Sequence, residues 1–257
     1  MSPKAGSFPE AAACPPARRR RPLKRAWNMT RSFFLLLFVT PLTAGFSCDL
    51  LPTPSEPPTF EPLFDGNSLA GWEGDTRFFR VEDGTLIAGR LDSPLPRNEF
   101  LASKESFGDF DLRFEARLLG TGRNAGVQFR SERVAGSREM IGYQCDIGKW
   151  SAGLIWGLLY DESRRARMLD EPEQEPLLKA VKQDGWNRLR VLATGPRVRI
   201  WVNDFPTVDY TETDPTVKPK GRVGLQIHGG PPAECHYRNI EIRRLNPIPH
   251  GIGELDN

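Results

Sequence analysis

Short runs in which apolar and polar residues alternate recur along most of the chain, with turn-forming residues between them. The clearest run is Phe110–Leu118, where every second residue from Phe110 is apolar and the residues between are charged. A period of two residues is typical of a strand with one buried face. The strands predicted in this way are Phe78–Val81, Thr85–Ala88, Phe100–Ser103, Phe110–Leu118, Ala125–Arg130, Ile141–Ile147, Leu154–Tyr160, Asn187–Thr194, Val198–Val202, Thr207–Tyr210, Gly224–His228 and Asn239–Leu245.

The turns between these runs carry their own signals. Glu82-Asp83-Gly84 and Asn203-Asp204 each separate two strand candidates and predict hairpins. Only Glu173–Lys182 has a helical pattern, and it is short. Many short strands joined by Gly- and Pro-containing turns favour an all-β fold, a β-sandwich or a jelly roll. We find no internal repeat, heptad pattern or glycine-rich phosphate loop.

The first 48 residues are typical of a targeting segment. Arg18–Arg21 and further bases precede the apolar run Phe33–Val39, which is followed by small residues. This order predicts a secretory signal, with Met29 as an alternative start and an uncleaved membrane anchor as the competing interpretation. The predicted organisation is a signal segment over 1–48, a Pro-rich linker over 49–62, a jelly-roll domain over 63–245 and a tail over 246–257. The protein is therefore expected in the periplasm, the envelope or the medium.

Charge is divided unevenly between the two regions. Residues 1–47 hold 8 of the 35 Lys and Arg and 1 of the 33 acids, so the remainder holds 27 bases and 32 acids, a difference of −5. A mildly acidic body gives no electrostatic reason to expect nucleic-acid binding.

The cysteines allow several interpretations. Cys48 directly follows the apolar run and is a candidate lipid anchor, although the residues before it match a lipobox poorly. That anchor, or the signal itself, is the predicted route to a membrane. In an exported protein Cys145 and Cys235 can form a disulfide. Because Cys145 lies on the apolar side of its predicted strand, a buried free thiol is equally consistent with the sequence.

Three predicted strands each present two polar side chains on one side: Gln128 and Arg130, Gln144 and Asp146, Gln226 and His228. Polar residues on one face of a sheet are often only solvated. Together, however, they supply the paired hydrogen-bonding groups that a sugar site needs. The set is extended by a further amide and by aromatic residues that either stack on sugar rings or pack in the core, namely Asn124, Trp150, Trp156 and Tyr160.

His228 is the candidate for acid–base chemistry, since it alone of three histidines lies within a predicted strand among polar neighbours. It can serve as a general base, a metal ligand or a structural residue. No metal-binding spacing accompanies it, so a divalent ion is an open alternative and no cofactor is assigned. A glycosidase that uses two carboxylates would need a second acid near Asp146, and the strand of Asp146 offers none. Asp161–Arg165 is either a charged rim to the site or a solvated turn.

Several ordered motifs resemble the 3-keto-disaccharide hydrolase domain of bacterial envelope proteins. They are Leu63–Trp72, Phe107–Glu115, Asn124–Arg130, Gly142–Ile147, Gly185–Asn187, Gly224–Gly229 and Tyr237–Ile242. The resemblance implies a concanavalin-A-like jelly roll, export, and action on sugars oxidised at C3. Many relatives carry Glu-x-Gln where this chain has Gln144-Cys145-Asp146.

The resemblance also suggests a chemistry. A ketone at C3 acidifies the hydrogen on C2, so a base can remove it and the enolate can expel the C1 substituent. We predict His228 or Asp146 as the base, and Arg130, Gln128 or a divalent ion as the group that stabilises the enolate. The expected function is cleavage of 3-keto-glycosides. The alternatives are a carbohydrate-binding module without activity and a structural envelope protein anchored through Cys48.

Overall fold

A computed structural model describes residues 59–245 of the chain. The predicted signal segment, both candidate starts, Cys48 and the C-terminal tail lie outside these residues. The strands are β1 Glu61–Pro62, β2 Trp72–Glu73, β3 Phe79–Glu82, β4 Thr85–Arg90, β5 Glu99–Phe107, β6 Phe110–Gly120, β7 Asn124–Arg133, β8 Met140–Trp150, β9 Gly153–Leu154, β10 Leu159–Glu162, β11 Arg167–Asp170, β12 Asn187–Thr194, β13 Arg197–Val202, β14 Phe205–Thr211, β15 Gly221–Ile227 and β16 Ala233–Arg244, and the helix is α1 Gln174–Ala180.

The strands form two antiparallel sheets packed as a sandwich, which confirms the predicted all-β fold with one short helix. The first sheet has the order β14-β13-β12-β6-β16-β4-β3, with β1 added to β16. The second has the order β11-β10-β8-β7-β15-β5-β2, with β9 added to β8. Because β1 pairs with β16, Glu61 and Pro62 of the predicted linker are part of the first sheet.

A single apolar core lies between the sheets. Phe114 and Val191 face inward from the first sheet, and Val127 and Leu225 face them from the second. Each apolar side chain removed from water contributes about 1.5–3 kcal/mol to folding. The alternation that predicts the strands therefore also decides which face of each sheet is buried.

Both predicted hairpin turns are present. Asn203 and Asp204 join β13 to β14 with φ values of 48° and 69°. Asp83 and Gly84 join β3 to β4 in the same left-handed region, with φ values of 47° and 73°. Two consecutive positive φ values match the twist of a two-residue hairpin, which explains the Asn, Asp and Gly at these positions. Within residues 59–245 no helix is long and apolar enough to cross a membrane.

The prediction of one continuous strand over Leu154–Tyr160 is wrong, because residues 155–158 do not form a strand. The chain leaves β9 at Leu154, turns, and enters β10 only at Leu159. Gly157 makes this turn with a φ of 72°. The turn directs Trp156 into the core, where it is 4% exposed. The proposed role of Trp156 as a sugar-stacking platform is therefore not supported by its position.

The disulfide alternative for Cys145 and Cys235 is also wrong. Both side chains are buried in the core, and both are free thiols. They belong to different sheets, Cys145 to β8 and Cys235 to β16. Burial raises the pKa of both thiols, so they remain protonated at neutral pH.

Candidate functional site

Four of the six polar residues predicted to share a face do meet on the outer face of the second sheet. In the register of β7 and β8, Gln128 lies opposite Gln144 and Gly126 lies opposite Asp146. Gln226 on β15 lies opposite Gly126 from the other side. Alternation places these side chains away from the core, yet Gln128, Gln144, Asp146 and Gln226 are all at most 2% exposed.

The buried amides are joined in a chain of hydrogen bonds. Gln144 Nε2 donates to Asp146 Oδ1 over 2.6 Å and to Gln226 Oε1 over 3.1 Å. Gln226 Nε2 in turn donates to Glu162 Oε2 over 3.3 Å. The chain can cross β7 because Gly126 has no side chain: a Cβ there would lie 2.6 Å from Gln144 Cδ. The hydrogen bonds thus run from Asp146 through Gln144 and Gln226 to Glu162, with an acid at each end.

Asp146 is protonated more readily than an ordinary aspartate. Burial raises the pKa of its carboxyl to about 8, and the nearby charge of Glu162 adds to the rise. The hydrogen bond from Gln144 opposes the shift but does not cancel it. Near neutral pH Asp146 is therefore largely a carboxylic acid, which can donate a proton or a hydrogen bond.

Glu162 is the acid that the sequence analysis missed. We predicted Asp161–Arg165 to be a rim loop or a solvated turn, but β10 continues through Glu162. Alternation sends Tyr160 and Glu162 to the outer face, whereas Asp161 pairs with Arg164 and Arg165. Burial raises the pKa of Glu162, and the charge of Glu139 raises it further. The sequence carried no clear signal for this, because the two acids Asp161 and Glu162 follow each other and break the apolar–polar alternation.

His228 lies one residue beyond the end of β15, rather than within it, and is exposed. Its backbone N–H donates to the carbonyl of Asn124. Nδ1 lies 2.6 Å from the carbonyl oxygen of Gly229, which can only accept a hydrogen bond. Nδ1 therefore carries the proton and Nε2 keeps a free lone pair. Its charged form would lower the pKa of Glu162, which places the two groups within electrostatic range.

Two aromatic residues, Tyr160 and Trp150, form a pair beside Gln144. Tyr160 lies opposite Gln144 on β10 and is half-buried, and its ring meets that of Trp150 edge-on at 6.0 Å. Burial and the charges of Glu162 and Asp146 raise the pKa of the Tyr160 hydroxyl, so it stays protonated. Asn124 begins β7 on the same face, and its Oδ1 is buried without a hydrogen-bond partner among residues 59–245.

Arg130 does not lie on this face, so the prediction that it shares the side of Gln128 is wrong. A bulge between Phe129 and Glu132 interrupts the alternation of β7, and Arg130 has a φ of 47°. Its guanidinium instead donates to the carbonyls of Gly108 and Gly195 and pairs with Asp109 at 2.8 Å. This arginine holds loops together at one end of the sandwich.

The β7–β8 turn, residues 134–139, covers part of the outer face. Arg133 donates to the carbonyls of Glu73 and Phe100, and Arg138 pairs with Asp75 and Glu99. Since β15 and β5 lie between β7 and β2, these arginines reach across two strands. Under this cover Gln128 is fully buried, and neither of its amide atoms has a hydrogen-bond partner within residues 59–245.

The described residues do not form a metal site around His228. No group of three His, Cys, Asp or Glu side chains within residues 59–245 is arranged to hold an ion. Asp146 and Glu162 are separated by the glutamine chain, and Arg130 points elsewhere. The divalent ion remains a prediction from sequence.

The carboxyl of Asp146 gives the site a measurable effect on stability. In the folded protein it keeps its proton up to about pH 8, whereas an unfolded chain releases it near pH 4. Its contribution is therefore complete below about pH 4 and is lost as the pH rises toward 8. Between pH 5 and pH 7 the free energy of unfolding should fall by about 2.5 kcal/mol from this group alone. Asp146→Asn should remove that fall in urea denaturation at the two pH values.

Glu212→Gln is the matched control for this experiment. Interactions with Arg165 and Tyr143 lower the pKa of Glu212 to about 2, so its contribution does not change between pH 5 and pH 7. That variant should keep the wild-type difference between the two pH values. If Asp146→Asn also keeps it, Asp146 is ionised in the folded protein and the assignment fails.

Comparison with known proteins gives a family and a fold. The sequence model of the 3-keto-alpha-glucoside-1,2-lyase-like domain family matches residues 59–243. No curated protein is significantly similar in sequence.

Solved structures share the fold at low sequence identity. A candidate glycosyl hydrolase from Parabacteroides distasonis superposes with a TM-score of 0.53 at 16% identity, covering 73% of this chain and 94% of its own. A carbohydrate-binding module from Bacillus subtilis superposes with a TM-score of 0.52 at 17% identity, covering 67% of this chain and 95% of its own. A Bacillus subtilis protein with a galectin-like fold superposes with a TM-score of 0.54 at 12% identity, covering 74% of this chain and 96% of its own.

Proposed function

Because the chain belongs to the 3-keto-alpha-glucoside-1,2-lyase-like domain family, we propose that it cleaves the glycosidic bond of sugars oxidised at C3. The observation that carries this proposal is the arrangement on the outer face of the second sheet. There an imidazole with a free Nε2 lies within electrostatic range of Glu162, and hydrogen bonds through Gln226 and Gln144 join Glu162 to Asp146, the second carboxyl group of raised pKa. Elimination needs one base and hydrogen-bond donors, and this face holds both.

The reaction is an elimination across C1 and C2. A base takes the proton from C2, and the electron pair of that C–H bond forms the enolate with the C3 carbonyl. The enolate then collapses, the C1–O bond breaks, and its electron pair leaves with the oxygen of the aglycone, which takes up a proton. The products are an unsaturated 3-keto sugar and a free alcohol. Addition of water to the new double bond would complete a net hydrolysis.

We assign the base to His228. Its Nδ1–H is held by the carbonyl of Gly229, so Nε2 is the atom that accepts the proton from C2. Because His228 lies at the exposed end of β15, a sugar can reach it without displacing the core. Two residues earlier in the chain, Gln226 accepts a hydrogen bond from Gln144 and donates one to Glu162.

The donors come from β10 and β8. Tyr160 remains a phenol at neutral pH and can donate to the enolate oxygen. Glu162, half-buried and contacted by Gln226, is the acid that we assign to the leaving oxygen. Protonated Asp146 supports this arrangement through Gln144. Both amide atoms of Gln128 lack hydrogen-bond partners within residues 59–245, and we assign them to the sugar hydroxyls.

The alternative is a binding module without activity, which is also supported by the buried amide atoms that have no hydrogen-bond partner within residues 59–245. Asn124 Oδ1 and both amide atoms of Gln128 would be satisfied equally well by a bound glycan that is never cleaved. The two functions differ in what they do to a ketone-bearing sugar, and this difference decides the experiment.

The test is incubation of the protein with a 3-keto-glucoside that carries a chromogenic aglycone, beside the unoxidised glucoside, with and without EDTA. Aglycone release from the keto sugar alone, together with an ultraviolet band of the conjugated enone, supports elimination. Release without that band indicates that water has added. Saturable binding of either sugar without release would overturn the enzymatic proposal in favour of the binding module. Loss of release in EDTA would contradict the metal-free roles given above.

A further inference from the structure

The outer face of the first sheet carries an arginine cluster that the proposed function does not use. Asp111 on β6 is fully buried and accepts hydrogen bonds from three guanidinium groups. Arg190 binds it with two bonds of 2.8 and 2.9 Å, Arg243 approaches to 3.0 Å and Arg113 to 3.5 Å. One carboxylate therefore faces three positive charges, so the cluster of these four side chains is positively charged.

The cluster places like charges opposite each other on neighbouring strands, an arrangement that sheets usually avoid. Arg113 and Arg190 lie directly opposite each other on β6 and β12. Like charges at opposed positions destabilise a strand pair. Aromatic rings offset part of this cost, since Arg113 lies over Phe60 at 4.1 Å and Arg190 over Trp201 at 4.8 Å. Stacked in this way, each guanidinium keeps N–H groups in its plane that can point to solvent.

A groove of about 650 Å³ lies beside the cluster. Arg113, Arg190 and Trp201 form part of its wall, and the side chains of Arg113 and Arg190 are 48% and 36% exposed. This volume is in the range of sites for small ligands. The groove lies on the opposite sheet from His228, so it is a second site.

The remaining wall indicates the class of ligand. Glu115, Asp204, Glu241 and Asn239 also line the groove, together with Arg188, which pairs with Asp204. Carboxylates and an amide bind hydroxyl groups well, and a DNA backbone has no hydroxyl groups to offer them. A ligand that fits has carboxylates for the arginines and many hydroxyls for the rest. We propose that this groove binds an acidic oligosaccharide, a chain that contains uronate units.

The test is binding of trigalacturonate to the full-length protein by isothermal titration calorimetry, with maltotriose as the neutral counterpart. Trigalacturonate should bind, maltotriose should not, and affinity should fall as salt is raised. Arg113→Gln should weaken binding by at least about tenfold, because it removes a charged hydrogen-bond donor. Arg113 makes the weakest contact with Asp111, so this variant should remain folded.

Two controls separate this site from the rest of the molecule. Arg197→Gln removes the same charge from an exposed pair with Asp209 outside the groove and should leave trigalacturonate affinity unchanged. His228→Ala should also leave it unchanged, so failure of the proposed cleavage would not affect this result. Absence of trigalacturonate binding, equal binding of maltotriose, equal loss in Arg197→Gln, or tighter binding of a DNA oligonucleotide would overturn the proposal.

Discussion

Alanine at position 228 is expected to lower turnover of a 3-keto-glucoside by about 10²–10⁴-fold, the usual contribution of a positioned general base. His228 is exposed, and its imidazole contacts the carbonyl of Gly229 but no core residue. The free energy of unfolding should therefore change little. Initial rates with the chromogenic keto sugar, measured beside urea denaturation, separate loss of the base from loss of the fold.

Two further variants make this result specific. Arg197→Ala removes an exposed side chain from the first sheet and should retain wild-type rates. Tyr160→Phe removes only the proposed enolate donor, so it should lower kcat and leave a measurable rate. Full turnover by His228→Ala would exclude His228 as the base and direct attention to Glu162.

Replacing Arg130 by methionine is expected to lower the free energy of unfolding by about 3–5 kcal/mol, as for other broken buried ion pairs. The side chain of Arg130 is 2% exposed, and Asp109 is its charged partner. Methionine has a similar length but no donors, so the carbonyls of Gly108 and Gly195 and the carboxylate of Asp109 would lose their hydrogen bonds.

Arg188→Met provides the comparison for urea denaturation. Its ion pair with Asp204 is exposed on both sides, so its loss should cost less than about 1 kcal/mol. If Arg130→Met is no more harmful than Arg188→Met, Arg130 does not anchor the loops. If Arg130→Met abolishes turnover without changing stability, Arg130 acts at the sugar site.

The strands were predictable because one face of each is buried. Phe110–Leu118 and Asn187–Thr194 alternate cleanly, and both form strands of the first sheet. The same rule placed Gln128, Gln144 and Gln226 on one face, since regular strands keep their period of two. What alternation could not indicate is that this face would be covered, because the cover depends on contacts of Arg133 and Arg138 with distant strands.

The errors occur where the backbone departs from regular strand geometry. The bulge in β7 turns Arg130 away from Gln128, and the turn at Gly157 sends Trp156 into the core. Neither the bulge nor the turn is visible in the residue composition of its segment. Glu162 was missed for the opposite reason: its strand continues into a charged stretch that resembles a loop. Long-range pairing with β8 decides that outcome, and a single sequence does not record it.

The two free thiols of the core, Cys145 and Cys235, can report how the packing between the sheets opens. Cys145 belongs to the second sheet and Cys235 to the first, and both are fully buried. A thiol reagent can modify them only when the packing around them opens, so labelling rates measure the free energy of that opening. With Cys14 and Cys48 replaced by serine, equal rates would mean that the sheets separate as one cooperative unit. Unequal rates would identify the sheet that loosens first, and reductant would change neither.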